Sequence, residues 1–246
     1  MNTEITTQDT KLSTLSDKYR LVKTRDIAQK FRDMGFTVDK YQEAKVRNKS
    51  KQGFQKHLVS LSNPTLLSSI HSDTKLQVLV TNSHDGTNAL TLQLGVYRFC
   101  CANGLIIGST FEKVKLRHTG MILEQVEESI LRIVAQSKKL DETLTAMKTK
   151  VLTREESQAF IERAVKLRYE NKTASDISFP VLRTEDDQNN VFALYNRVQE
   201  HLVNGGNDVR NARNQVRTAR KLTNITSLVK LNESLFDLAN EFAIAA

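Results

Sequence analysis

Lys113, Lys115 and Arg117 alternate with Val114 and Leu116 in the segment Phe111 to His118. In an extended strand that spacing sets Phe111 and the three cations on one face and the two aliphatics on the other. A row of cations beside an aromatic is what a phosphate backbone requires, because neutralising successive phosphates releases counterions and supplies affinity without sequence preference. The plainer account of the same row is an ordinary solvated sheet face. Just upstream, Tyr97-Arg98-Phe99 sets two rings around a cation; bases stack on such rings while phosphates are held, although either ring would serve equally as core. Lys45, Arg47, Lys49 and Lys51 crowd the tip of an expected hairpin and extend the basic track if that hairpin lies beside it. Arg210, Arg213, Arg217 and Arg220 would share an arc of about 80° on a helix. Such a stripe clamps a nucleic-acid strand, pairs with an acidic partner or, in a loop, is simply solvated.

Other chemistries find no support in the residue spacing. There is no Gly-x-Ser-x-Gly, no Gly-x-x-x-x-Gly-Lys-Ser/Thr and no Gly-x-Gly-x-x-Gly, which disfavours a hydrolytic or ATP-driven role. His57, His84 and His118 fall in separate strands or turns without metal-ligand spacing, so each reads as a hydrogen-bonded structural histidine. No catalytic residue, metal ligand or cofactor is assigned. The vicinal Cys100 and Cys101 have Cα atoms about 3.8 Å apart, short of the usual disulfide range that begins near 4.4 Å. They read as free thiols in a reducing compartment.

The elements that must position these residues follow from periodicity. Thr24 can cap a short helix whose Ile27, Phe31 and Met34 form a stripe, with Gly35 ending it. Two period-two segments between Phe36 and Asn63 read as a hairpin with a charged tip, and Pro64 to His71 as a turn or two of helix. Lys75 to Thr81 and Thr87 to Leu94 read as strands joined at the Asp85-Gly86 turn, and Leu105 to Ile107 and Phe111 to His118 extend the sheet. After Gly120 the period becomes 3.6: one helix is expected from about Met121 to near Lys150. Thr153-Arg-Glu-Glu156 matches a capping box ahead of a helix with Phe160, Ala164 and Leu167 on its apolar face. Two more helices carry Val191, Tyr195, Val198 and Leu202, and Leu231, Leu235, Leu238 and Phe242.

Strands first and helices after give an α+β class: a small antiparallel sheet over about residues 36–118 backed by helices, then a helical C-terminal region. The expected divisions are a flexible arm at 1–23, a core domain at 24–170, a linker at 171–190, and a helical region at 191–246 that packs on the core. At 246 residues the chain is long enough to need no disulfide or metal staple. Its net charge of +8 attracts nucleic acid or anionic surfaces, with simple solubility as the bland alternative. No apolar run approaches a bilayer span and residues 1–18 lack the apolar core of a signal peptide, so a cytoplasmic location and no membrane partner are expected.

Several of these residues also carry a resemblance. Asn82-Ser-His-Asp-Gly86, Tyr97-Arg98-Phe99-Cys100 with Asn103-Gly104-Leu105, Leu116-Arg-His-Thr-Gly120, and a distal set of Asn196-Arg-Val-Gln-Glu200, Gly205-Gly206, Arg217 and Leu231-Asn232 together resemble a phage- and plasmid-borne family catalogued as domain of unknown function nine-three-two. The likeness covers most of residues 40–240. Phe236 stands where that pattern has a tryptophan and Cys101 where it has a small polar residue. A small sheet backed by helices is similar, at the level of fold, to phage single-strand annealing proteins. The expectation is a non-enzymatic protein that binds single-stranded DNA, or RNA, and anneals strands without ATP, assembled as a ring or filament. The competing expectation is a host-takeover or anti-defence factor whose basic surface docks a host protein.

Overall fold

Leu90, Leu92, Leu94 and Val96 are all fully buried, and their alternation makes the strand that carries them the spine of an antiparallel sheet. In this computed structural model the described residues are 4–67, 74–98, 104–106, 113–211 and 214–245. They form two compact units that meet in sequence between Lys138 and Lys139.

The first unit contains α1 (Thr24–Asp33), β1 (Thr37–Glu43), β2 (His57–Asn63), β3 (Thr74–Asn82), β4 (Leu90–Arg98), β5 (Gly104–Ile106), β6 (Lys113–Leu116) and α2 (Ile122–Ala135). The strand order is β1-β2-β3-β4-β5, and β6 also pairs with β4. β5 takes Gly95 to Tyr97 and β6 takes Leu90 to Gln93, so the two short strands share one edge of β4. Register places Val59 and Leu61 beside Val80 and Val78, these beside Leu92 and Leu94, and Val114 beside Leu92. This is the apolar face. α1 lies against it: the Met34 carbonyl accepts from Asn63 Nδ2, and Phe31 meets Phe36 edge-on across Gly35. α2 runs beside α1, with Lys30 paired to Glu127, and touches β4 and β6. The opposite face carries Ser60, Ser62, Gln77, Thr81, Thr91 and Gln93, and these are buried too. Residues 5–22 are stitched to the unit by Gln8 N–H to Gly53 O, Leu12 N–H to His84 O and Arg20 N–H to His118 O.

Three local expectations are corrected here. Thr24 does not cap α1; Lys23 occupies the cap without a side-chain bond, because the Thr24 hydroxyl is drawn to His57 at 2.7 Å. The strand expected to start at Thr87 starts at Leu90, so the connection at Asp85-Gly86 spans the seven residues between Asn82 and Leu90, with Asp85 Oδ1 accepting from Thr87 N–H and hydroxyl. The helix expected from Met121 to Lys150 breaks at Gln136.

The second unit contains most of α3 (Ser137–Thr149), α4 (Arg154–Arg168), α5 (Val191–Asn204), a small hairpin of β7 (Asp208–Arg210) and β8 (Val216–Thr218), and α6 (Ile225–Ile244). The Thr153 capping box is present with both reciprocal bonds. On α4, Phe160 and Ala164 are buried as expected, but Val165 takes the place of Leu167, which is exposed. Val191, Tyr195, Val198 and Leu202 of α5 and Leu235 and Phe236 of α6 are fully buried, Tyr195 meeting Phe236 edge-on at 5.9 Å. Residues 171–190 belong to this unit, with Ile177 bridged to Val209 and the Pro180 carbonyl 2.9 Å from His201 Nε2.

Candidate nucleic-acid interface

β6 is positioned by β4. Its Lys113 stands opposite Gln93 and its Lys115 opposite Thr91; Val114 is buried while Lys113, Lys115 and Arg117 are exposed. Alternating residues repeat about every 6.8 Å along a strand, so the cations form a row at the sheet edge while Val114 anchors the strand in the core. Neither Lys115 nor Arg117 has a carboxylate partner among the described residues. Lys113 is felt by Lys56, whose ammonium is held below its usual range first by burial and then by the Lys113 charge. Lys56 thus adds a cation that was missed in the sequence. Its signal was there: it lies in phase with Leu58 and Ser60, on the face that register shares with Thr91 and Gln93.

The hairpin tip between β1 and β2 holds Lys45, Arg47 and Lys49 exposed. Lys51 instead lies 3.7 Å from the buried Asp85, which spends its charge internally. The tip and Arg117 are at the same end of the sheet, since β2 begins at His57 opposite Asn82 and β6 ends at Leu116 opposite Leu90. Three strand spacings separate β2 from β6, about 14 Å. Tyr97 and Arg98 stand at the far end of β4, where Tyr97 pairs with Lys75 and Gly104 and Arg98 with Thr74. Arg98 is thereby about 17 Å along the strand from Gln93, the partner of Lys113. Phe99 lies outside the described residues, as do Phe111 and Arg213.

Of the arginines expected to form a helical stripe, Arg210 and Arg217 are on the β7–β8 hairpin and Arg220 follows it, none of the three on a helix. Arg210 pairs with Val216 and Arg217 with Val209, so the two side chains leave opposite faces. Arg210 donates to Asn214 Oδ1 at 2.9 Å and lines a pocket with Asp176 and Asp208, which offset its charge. Asp176 is held below the usual carboxylate range by the Thr173 N–H and hydroxyl, with Lys172 and Arg210 adding to it. Arg217 and Arg220 are exposed, and the Arg220 carbonyl accepts from Arg168.

The histidines assemble a buried network. His57 and His84 rings meet edge-on at 5.3 Å, each donating from Nδ1 to a carbonyl, Gln55 and Gln8 respectively. Both Nε2 atoms face the Thr24 hydroxyl, at 2.7 and 3.4 Å, and Asn82 Nδ2 donates to the same oxygen. One hydroxyl proton cannot serve two lone pairs, so the shorter contact to His57 takes it. Burial pushes His57 down to about 4 and lowers His84 and His118. Among the described residues no group of three or more His, Cys, Asp and Glu could hold a metal ion. No helix among them is long and apolar enough to cross a membrane.

Fold and site together define an α+β protein whose candidate surface is a cationic sheet edge. Residues 11–234 match the family described as Domain of unknown function (DUF932), and the chain belongs to that family. UPF0380 protein YfjQ and UPF0380 protein YafZ of Escherichia coli (strain K12) are each 28% identical to it over 228 residues, covering 91% of this chain and 82% of the relative. No solved structure matches the chain.

The motifs that carried the resemblance have structural work in the fold. Asn82 ties the Val22 carbonyl and Thr24 to the sheet end. Gly86 has φ +75°, and a Cβ there would come within 2.8 Å of Leu15. Gln199 Nε2 donates to Asn232 Oδ1 at 2.8 Å, fastening α5 to α6, and Arg183 clasps Glu200 through two nitrogens. Gly205 ends α5 at φ +68°, where a Cβ would stand 2.4 Å from the Ala219 carbonyl oxygen.

Proposed function

We propose that this protein binds single-stranded nucleic acid without catalysis and promotes annealing of complementary strands without ATP. The observation that carries the reading is the row Lys113, Lys115 and Arg117: exposed and presented by a strand whose Val114 is locked in the core. A rigid row of cations attracts a phosphate backbone at little cost in ordering, since the strand is already held by its pairing with β4. Lys56 adds positive charge near Lys113. Because the face over the central strands is buried, the bound strand follows the edge along β6 and does not lie across the sheet. A phage or plasmid setting and a ring or filament of protomers along the strand complete the proposal.

The test is an annealing assay with two complementary oligonucleotides, one fluorescent and one quenching, without nucleotide cofactor. Wild-type protein accelerates quenching; the Lys113→Ala, Lys115→Ala, Arg117→Ala triple variant does not. Equal acceleration by both proteins, or none by wild type, removes the reading.

A further inference from the structure

A second feature of the first unit lies next to this row. Ser16, Lys18 and Tyr19, with Gly86, Asn88 and Ala89 of the turn and Arg117 to Thr119, line a pocket of about 240 Å³. Lys18 and Arg117 are distant in sequence but are locked together by a reciprocal pair of bonds, Arg20 N–H to His118 O at 2.7 Å and His118 Nδ1 to Arg20 O at 3.0 Å. Tyr19 stacks on His118 with centroids 4.7 Å apart and planes 17° from parallel. The Tyr19 hydroxyl is committed to the Ser83 carbonyl at 2.8 Å, so its ring is held in place.

No carboxylate lines the pocket. Asp85, beneath the turn, accepts from Thr87 and faces Lys51, and Asp17 points to solvent near Lys11. What the pocket offers is two cations without ion-pair partners among the described residues, the Ser16 and Thr119 hydroxyls, and a fixed aromatic wall. That combination suits an anion attached to a flat ring. Whole small-molecule ligands occupy sites of roughly 300–1,000 Å³, so this volume fits one unit of a longer polymer better than a free ligand. Arg117 belongs both to the pocket and to the β6 row, which makes the two surfaces continuous.

We infer that this pocket is a one-nucleotide subsite, in which Lys18 and Arg117 hold a phosphate and the Tyr19–His118 stack receives the adjoining base. The inference rests on the strand-binding reading and deepens it, fixing where the strand enters after passing along β6. Lys18 is exposed and its removal leaves the fold intact; Tyr19→Phe keeps the ring, whereas Tyr19→Leu removes it.

The test uses a 15-nucleotide single strand carrying 5-iododeoxyuridine, titrated against each protein and then photo-crosslinked and mapped by mass spectrometry. Wild type crosslinks at Tyr19. Lys18→Ala binds roughly fivefold more weakly, with the slope of log affinity against log salt reduced by about 0.7. Tyr19→Phe retains wild-type affinity and Tyr19→Leu loses about tenfold. If wild type binds the strand but crosslinks elsewhere, and Lys18→Ala and Tyr19→Leu bind as wild type does, the subsite is overturned while strand binding stands. If wild type binds no single strand, the strand-binding reading fails and takes the subsite with it.

Discussion

Lowering the pH from 7.5 to 5 destabilises the first unit, and His57 accounts for a measurable share of the loss. The ring is fully buried, its Nδ1 proton is given to the Gln55 carbonyl, and its Nε2 lone pair takes the Thr24 hydroxyl proton. Burial, with the charges of His84 and His118 adding to it, sets its pKa at about 4 against 6.5 for a free imidazole, despite opposing help from the Gln55 carbonyl and Asp85. Between those two values the unfolded chain binds a proton that the folded chain refuses. Stability therefore rises with pH through that window and is indifferent to this group above and below it. The gap corresponds to about 3 kcal/mol in full, of which about 2 kcal/mol is lost by pH 5. Urea unfolding of wild type and His57→Gln at both pH values isolates the effect from carboxylates that titrate in the same direction. Wild type loses about 2 kcal/mol more than the variant on acidification. Identical losses in the two proteins refute the assignment of a neutral, buried His57.

Gly205 and Gly120 share a positive φ but differ in space, so their alanine variants separate backbone strain from collision. Gly120→Ala, with open space around it, costs about 1 kcal/mol, whereas Gly205→Ala, aimed at the Ala219 carbonyl, costs at least about 3 kcal/mol by thermal or urea unfolding. Asn232→Ala strands the buried Gln199 amide and costs about 1–3 kcal/mol; a double-mutant cycle with Gln199→Ala shows coupling between the two. Arg183→Met leaves Glu200 nearly buried without its clasp and costs about 3 kcal/mol, read by urea unfolding at pH 7.

Much of the fold was legible because single strands and helices announce themselves locally. The alternation of Leu90, Leu92 and Leu94 gave β4, Thr153 with Glu156 gave the start of α4, and the apolar spacing of Val191, Tyr195, Val198 and Leu202 gave α5. What escaped depends on partners far away in the chain. Thr24 has the chemistry of a cap, yet His57 and Asn82 compete for its hydroxyl and win. Ile5, Thr7 and Val22 are buried although the Thr-rich segment around them shows no period, because Gln8, Leu12 and Arg20 find their bonds on loops and strand ends. The arginine stripe of 210–220 has helical spacing but sits after Gly205 and Gly206, both at positive φ, which turn the chain into a hairpin and send Arg210 and Arg217 to opposite faces. Of the candidate cations, those on β6 were readable since alternation with Val114 and Leu116 fixes their face; the phase of Lys56 with Leu58 and Ser60 was readable too, but only strand register brings it near Lys113, and only the fold of the first residues brings Lys18 near Arg117.

The most direct measurement is the salt dependence of single-stranded DNA binding for wild type and the Lys113→Ala, Lys115→Ala, Arg117→Ala variant. All three side chains are exposed, so the variant unfolds within about 0.5 kcal/mol of wild type. The account predicts tight wild-type binding at low salt with a steep negative slope, and a slope shallower by about 2 in the variant, about 0.7 for each phosphate contact removed. Absence of wild-type binding at low salt, or the same slope in both proteins, contradicts it.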